Sequence, residues 1–482
     1  MSNISASKIA KSSLWLTSSF VLAKSSQLIS QVFLARLLQP EDFGVWGMVL
    51  VVVTLSDLFK DKATAQVLVQ RGLDNRKLVD AVYSLGVNIS VGMFIAQALI
   101  AFPLSQFFER PILFPLTALT GLVFVIGAGA GAHGAVLQRR MKFRELAICD
   151  TAAGLARFGG GVICATLGGG VWSFAVAEIS FSLVDAFSKK WLSGYRFTYH
   201  LIPDSSATKE VWGYISSLMG INLAVYVNTN GDNFLVGKLL GAASLGYYNL
   251  AYQLAMLPTF ALSQINRVNL SVLSQKSNEE SRIYVTQVLE IYGLLYAPLY
   301  GLGFLVASWI IPVIYGQTWT PTVVLFQIVL VFAYTRGFMS ILGTALNALN
   351  KPNINAAINW VLVPISLPAF FIGAKFFGVV GVAITAALIM GVVATIWFWV
   401  AISRAANWSL ATLVQPILLP TLSTTLGLLA VSFLPLPESF SLILQPMIFI
   451  VIYGVVLFVL SGGRIYKRVN NFISHRRKRA KV

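Results

Sequence analysis

Lys24, Gln27 and Gln31 lie three and four residues apart in the first apolar stretch, and Ser13 and Thr17 extend the same row. Steps of three, four and seven place side chains on one face of a helix. A cation and two amides therefore share a polar stripe, an arrangement suited to an anion. Arg336 begins a second row, followed at steps of four, four and three by Ser340, Thr344 and Asn347. Arg157 is a third cation inside an apolar stretch, and the next stretch carries Glu178 and Asp185 seven residues apart, on one face. Antiparallel packing of these two stretches would bracket Arg157 with carboxylates, giving a structural ion pair, with a cavity lining as the second reading.

The rest of the chemistry is sparse. Asp57, Asp150 and Glu290 fall near the ends of apolar stretches, where a carboxylate can reach water. Asp232, beside Asn233, stands deeper and could relay a proton or cation. His133 is alone among small residues and reads as a packed or capping histidine. Cys149 and Cys164 are fifteen apart in one stretch and cannot meet if that stretch is a helix. No metal set, cofactor motif or catalytic constellation is indicated.

These residues sit in a chain of 482 residues that is 57% hydrophobic and 11% charged, with a mean hydropathy of +0.76. Globular chains average about 25% charged residues, so this is an all-α polytopic membrane protein. A span needs about 20 apolar residues to cross a hydrocarbon core of about 30 Å. About fourteen segments qualify: 12–37, 43–60, 79–104, 112–137, 145–167, 171–190, 213–237, 245–266, 285–312, 321–347, 354–376, 378–402, 411–434 and 441–461. The first has no convincing cleavage site and reads as a span, not a signal peptide.

The net charge of +17 would suggest nucleic acid in a soluble chain, but its placement points to lipid. Of the 35 basic residues, 28 fall in the termini and connections on one side, four on the other (Arg36, Arg110, Lys238, Lys375) and three within spans. The positive-inside rule then places both termini in the cytoplasm. The basic tail, from His475 to Val482, reads as an anchor to anionic lipid.

The sequence also repeats itself. RLLQPEDFGVW at Arg36 to Trp46 returns 202 residues later as KLLGAASLGYY at Lys238 to Tyr248. In each copy the pattern reads as a helix that ends in a small polar turn and restarts at a Gly–aromatic pair. The same offset carries Lys24, Gln27 and Gln31 onto Tyr226, Thr229 and Asn233, with Asn222 one turn below. Six spans separate the copies, so the repeat is parallel, as in transporters built from two bundles around a central site. The expected organisation is a six-helix bundle over 1–205, a second over 206–405, two additional helices over 406–462 and a cytoplasmic tail over 463–482.

Polar stripes can simply glue helices together. Lys24 favours a wet cavity, because it lies about 18 Å from either end of its span, where an unpartnered charge costs roughly 2.5–3.5 kcal/mol on insertion scales. Lys24, Gln27, Gln31, Tyr226, Asn233, Arg336 and Ser340 are the candidate cavity residues.

FLARLLQPEDFGVWGM (Phe33 to Met48), GDNFLVGKLLGAASLGYYNLAYQL (Gly231 to Leu254) and QRRMKFRELA (Gln138 to Ala147) resemble the polysaccharide transporter family. That family contains the Wzx-type flippases, within the multidrug, oligosaccharidyl-lipid and polysaccharide exporter superfamily, and the second stretch is similar to its colanic-acid-exporter subgroup. The resemblance implies two six-helix bundles facing a cavity, alternating access, and an oligosaccharide on an undecaprenyl diphosphate carrier as substrate. It further implies a bacterial inner-membrane location, assembly proteins such as a polymerase as partners, and a lipid groove shaped by the last two helices. A drug exporter of the same superfamily is the nearest alternative, although it would be expected to carry a clearer acidic cation site. A membrane enzyme of polysaccharide assembly is the other alternative, but the outer connections are about ten residues or fewer.

Cysteines introduced at Gln39 or Ser439 are expected to react with an impermeant thiol reagent added outside, and those at Asn75, Ser277 or Ser474 are not. Reversal at any two positions would overturn the span order.

Overall fold

The computed structural model describes residues 25–57, 67–69, 72–434 and 438–462; Lys24 and the basic tail lie outside them. Every regular element among the described residues is helical, as a bilayer requires of a chain that must satisfy its backbone internally. We number them α1 (25–37), α2 (Pro40–Asp57), α3 (Arg76–Phe107), α4 (Leu113–Thr120), α5 (Leu122–Ile126) and α6 (Ala130–Arg139). They continue as α7 (Phe143–Thr166), α8 (Trp172–Ser193), α9 (Ser205–Leu273), α10 (Asn278–Tyr315), α11 (Thr322–Ala348), α12 (Pro352–Thr385), α13 (Ala394–Ala406), α14 (Leu410–Ser432) and α15 (Glu438–Ser461). A π-helical segment, Ala386–Val393, joins α12 to α13. Eight stretches of the described residues are long and apolar enough to cross a membrane.

Two of the long helices are interrupted. In α9 the hydroxyl of Tyr248 donates to Asp232 Oδ2 at 2.7 Å, although sixteen residues of straight helix would separate them by about 24 Å. The chain reverses at Gly241, whose φ of 82° and ψ of 176° only glycine adopts readily. In α12 the reversal is at Gly378, φ 62°, and it folds Gly373 back against the carbonyl of Gly381. The sequence placed a break between apolar segments at both points.

Helix ends follow local rules. Pro40 opens α2 at a position where its missing N–H is no loss, and Asp42 accepts the N–H of Gln39 at 3.0 Å. Asn75 caps α3 by accepting from the Leu78 N–H at 3.2 Å, and Ser277 with Glu280 forms a capping box on α10.

Compactness divides the chain into Met1–Asn249 and Leu250–Val482. In the first unit α7 and α8 pack along their length, and Phe174 of α8 takes Phe43 edge-on at 4.9 Å and Trp46 stacked at 5.4 Å. In the second, tyrosines of α10, α11 and α15 fill the space between helices. Tyr292 stacks on Tyr296 at 4.3 Å and donates to the carbonyl of Tyr334 at 3.0 Å, and Tyr453 donates to Leu294 at 3.1 Å.

The connection between α8 and α9 is an extended strap laid along α3. The N–H of Thr198 donates to Asp80 Oδ1 and that of His200 to Ser84 Oγ, each at 3.0 Å. Asn88 donates to the carbonyl of Leu201 at 3.0 Å and accepts from the Tyr199 hydroxyl at 2.7 Å. The register works because two extended residues rise about 6.7 Å and four helical residues about 6.0 Å. Phe197 stacks on Tyr83 at 4.6 Å and fastens the strap to a core that includes Leu68, Val79 and Ala132.

Replacing Asp80 with Ala strips the Thr198 N–H of its acceptor and Arg76 of its 2.9 Å ion pair. A hydrogen bond to a charged group contributes roughly 1.5–3 kcal/mol. Limited proteolysis of Asp80→Ala in detergent should therefore cut within 194–204 sooner than in the parent protein, with α7 and α8 still intact.

Candidate functional site

The glycines of the two motif copies determine how those copies meet. A Cβ built on Gly44 would stand 1.6 Å from the carbonyl oxygen of Ala242, and one built on Gly246 would stand 1.9 Å from that of Pro40. Pro40 and Ala242 are repeat equivalents, as are Gly44 and Gly246, so the contact is reciprocal, as across a two-fold axis. Gly47 adds a self-equivalent contact, its missing methyl falling 2.1 Å from the amide nitrogen of Asn249, 202 residues on. The expected restart at the Gly–aromatic pair is corrected here. The chain breaks at Gln39 and at its equivalent Gly241, α2 is already under way at Gly44, and the glycine is kept for close approach.

The turn after α3 touches both copies. Lys238 Nζ donates to Glu109 Oε1 at 2.8 Å and to the Phe107 carbonyl at 2.6 Å, while Arg110 pairs with Glu41 at 2.5 Å. The hydrogen bond from Lys238, and then its charge, hold the Glu109 carboxyl below the usual carboxylate range. Phe107 and Phe108 pack on Phe234 at 4.5 and 5.6 Å.

Of the polar stripe on α1, Gln27 is exposed and Gln31 half-buried, with Gln31 Nε2 buried and lacking a hydrogen bond. Its repeat equivalent Asn233 has Oδ1 in the same condition. Tyr226 donates to the carbonyl of Val51, and Thr229 bonds back to Val225 at 2.8 Å, so these two hydroxyls are spent on backbone. Asp232 is buried, accepting from the Tyr248 hydroxyl and, at 2.8 Å, from the Asn233 N–H.

In the second unit Arg336 is half-buried, its guanidinium 5.6 Å from the Phe332 ring centroid. No carboxylate among the described residues pairs with it. Ser340 accepts from Asn266 at 2.7 Å, and the network continues through Asn269 to the hydroxyl of Tyr284. Thr344 bonds back to Ser340, and Asn347 accepts from Asn355 at 3.2 Å. Asn266 and Asn269 went unread in the sequence, though two amides three apart in an apolar segment are a helix-face signal.

Arg157 meets Glu178 at 2.7 Å and lies 4.1 Å from the ring centroid of Phe181. Asp185 belongs to a different pair, with Lys189 at 2.6 Å and Asp150 at 3.8 Å from the same ammonium. His133 is buried, its Nδ1 2.7 Å from Ser193 Oγ and its ring edge-on to Phe197.

A polysaccharide biosynthesis protein family model matches residues 33–324 of the chain. The chain belongs to that family. Among similar members is the lipopolysaccharide biosynthesis protein WzxC of Escherichia coli, 26% identical over 77% of this chain and 76% of that one. The succinoglycan biosynthesis transport protein ExoT of Rhizobium meliloti is 24% identical over 61% and 60%. In fold this family member is similar to the lipid II flippase MurJ in an inward closed conformation (TM-score 0.76, 14% identity, 94% of this chain and all of that one). An inward-facing multidrug resistance MATE transporter gives a TM-score of 0.66 at 14% identity, over 80% and 95%.

The Arg157–Glu178 pair is half-buried; removing one partner leaves the other charge unpaired within the helix bundle and is destabilising, whereas replacing both partners with apolar residues is often neutral. Arg157→Leu should therefore lower membrane abundance, and Arg157→Leu with Glu178→Leu should restore most of it, as read by immunoblot.

Proposed function

We propose that the chain is a flippase that carries a lipid-linked oligosaccharide across the bacterial inner membrane by alternating access, for assembly of a surface polysaccharide. The observation that carries this reading is the family match over 33–324 with relatives named for polysaccharide biosynthesis and transport. The MATE likeness is one of fold alone and does not favour a drug as cargo. Arg336, a cation at mid-helix with no carboxylate partner among the described residues, supports an anionic cargo, because Coulomb attraction strengthens as water is excluded. An undecaprenyl diphosphate carrier fits that charge.

On this reading about fourteen helices cross the membrane, in two six-helix bundles and a C-terminal pair, with both termini cytoplasmic. Lys24, Gln27, Gln31, Tyr226, Asn233, Arg336 and Ser340 line the path of the glycan and its diphosphate. Asp232, buried and tied to Tyr248, is the candidate relay for a proton or cation that drives the cycle. The reaction is transport, with no covalent change in the cargo, and a polymerase that extends the polysaccharide is the expected partner downstream.

Deleting the gene should trap a lipid-linked oligosaccharide on the cytoplasmic leaflet, identifiable by mass spectrometry of extracted lipids, and a deletion strain that accumulates none would overturn the proposal. Lys24→Arg should keep partial export, while Lys24→Gln and Arg336→Gln should lose it at normal membrane abundance. Full export by both Gln variants would show that the two residues only join helices, since Gln hydrogen-bonds across helices as well as Lys does.

A further inference from the structure

Helices α10 and α14 run in the same direction and meet at small residues. A Cβ built on Gly293 would stand 3.4 Å from Pro420 Cγ, and one on Gly301 would stand 2.9 Å from Thr424 Cγ2. Nearer their N-termini the two helices part around a cleft of about 430 Å³ lined by Arg282, Ile283, Thr286, Gln287, Glu290 and Thr412. Beyond the cleft, at the helix starts, Asn278 donates to the Ala406 carbonyl and accepts from Trp408 Nε1, each at 3.0 Å. Helix contact closes one end and this tie closes the other, so the cleft opens sideways. Ile283, Ile291 and Leu295, on the i, i+4 row that includes Gln287, are all at least half exposed along that side. An apolar row of this kind faces acyl chains, so the molecule that reaches the opening is a lipid and not a soluble solute. Both helices start on the side that the charge asymmetry assigns to the cytoplasm, and Arg282 stands in the second turn of α10, at headgroup depth.

The polar groups of the cleft carry both signs. Arg282 holds Glu279 with Nη2, while its Nε–H is buried without an acceptor among the described residues. Glu279 is 64% exposed, and exposed ion pairs contribute little, so the guanidinium can take a second anion. Glu290 follows two turns deeper, about 12 Å along the helix. Thr286 spends its proton on the Arg282 carbonyl at 2.8 Å, so toward the cleft its hydroxyl can only accept. A guanidinium at one end, with a carboxylate and an accepting hydroxyl further in, matches a zwitterion. We propose that this cleft binds the headgroup of phosphatidylethanolamine, with the phosphate on Arg282 and the primary ammonium on Glu290 and Thr286. Gln287 and Thr412 are further donors to the phosphate. A phosphate and an amine joined by two carbons, with a hydrogen bond at each end, span a gap of that order. Phosphatidylcholine has no N–H to give Glu290, and phosphatidylglycerol has no cation. The diphosphate of an isoprenoid carrier brings more negative charge beside the same carboxylate. The site requires only a chain embedded in lipid and does not depend on the cargo.

Native mass spectrometry of the full chain in detergent, titrated with phosphatidylethanolamine, phosphatidylcholine and phosphatidylglycerol of identical acyl chains, tests the site. Phosphatidylethanolamine should be retained about tenfold more tightly than either of the others, as a hydrogen bond between charged groups provides. Glu290→Gln should erase the preference over phosphatidylcholine, and Arg282→Gln should weaken retention of phosphatidylethanolamine. Gln287→Trp fills the cleft from an exposed position. It should remove the bound phosphatidylethanolamine while the protein still elutes as the parent does on size exclusion. Equal retention of the three lipids by the parent protein, or retention of phosphatidylethanolamine unchanged by Gln287→Trp, would overturn the proposal. Undecaprenyl diphosphate that binds more tightly than phosphatidylethanolamine and is displaced by Gln287→Trp would give the cleft to the carrier, and would overturn it as well.

Discussion

Lipid offers no hydrogen bonds, and the rest of this molecule follows from that constraint. Backbone groups must pair within helices, and the side chains obey the same rule. Thr229 and Thr344 turn back on their own helices, Tyr226 and Tyr292 reach for carbonyls of neighbouring ones, and Arg157 and Lys189 take carboxylates from within the α7–α8 pair. Against that background the polar atoms left without partners are informative. Gln31 Nε2 and Asn233 Oδ1, repeat equivalents, are a donor and an acceptor that the fold leaves unmatched at corresponding positions in the two copies.

The repeated motif gives this economy a second use. A duplicated chain can place each copy of a motif against the other, so one short pattern supplies both faces of a contact. The reciprocity of Gly44 with Ala242 and Gly246 with Pro40 is the signature of that arrangement. The copies have diverged even at the contact, where Pro40 answers to Ala242 and Gly47 to Asn249, and they differ in the aromatic beside it. Trp46 stacks on Phe174, whereas its equivalent Tyr248 holds Asp232, so one half uses the aromatic position for packing and the other for a buried carboxylate.

Much of this was legible in the sequence because hydropathy and charge are periodic, additive signals. The apolar segments anticipated the breaks near residues 241 and 378, and the spacing of Arg157, Glu178 and Asp185 anticipated an ion pair between adjacent helices. Of the two carboxylates, only Glu178 takes Arg157. Asp185 is claimed by Lys189, one turn along its own helix, a local competitor that an argument about depth alone overlooks. The role of the motif glycines was not legible either. A glycine conserves space as often as it permits a turn, and only the position of the opposing carbonyl decides between the two. The strap on α3 was hidden for a related reason, since its partners are backbone groups, which every sequence supplies equally.

That strap has a mechanical consequence. A connection of this length between helices would ordinarily act as a slack tether, absorbing any displacement of the helix it feeds. Here its backbone is tied at Asp80, Ser84 and Asn88, one helical turn apart each time, and Tyr195 and Phe197 pack against the core beneath. A displacement of α9 would therefore reach α3 through a tie that leaves slack only between Leu201 and Ser205, so that the connection couples the two helices more closely than its length alone suggests.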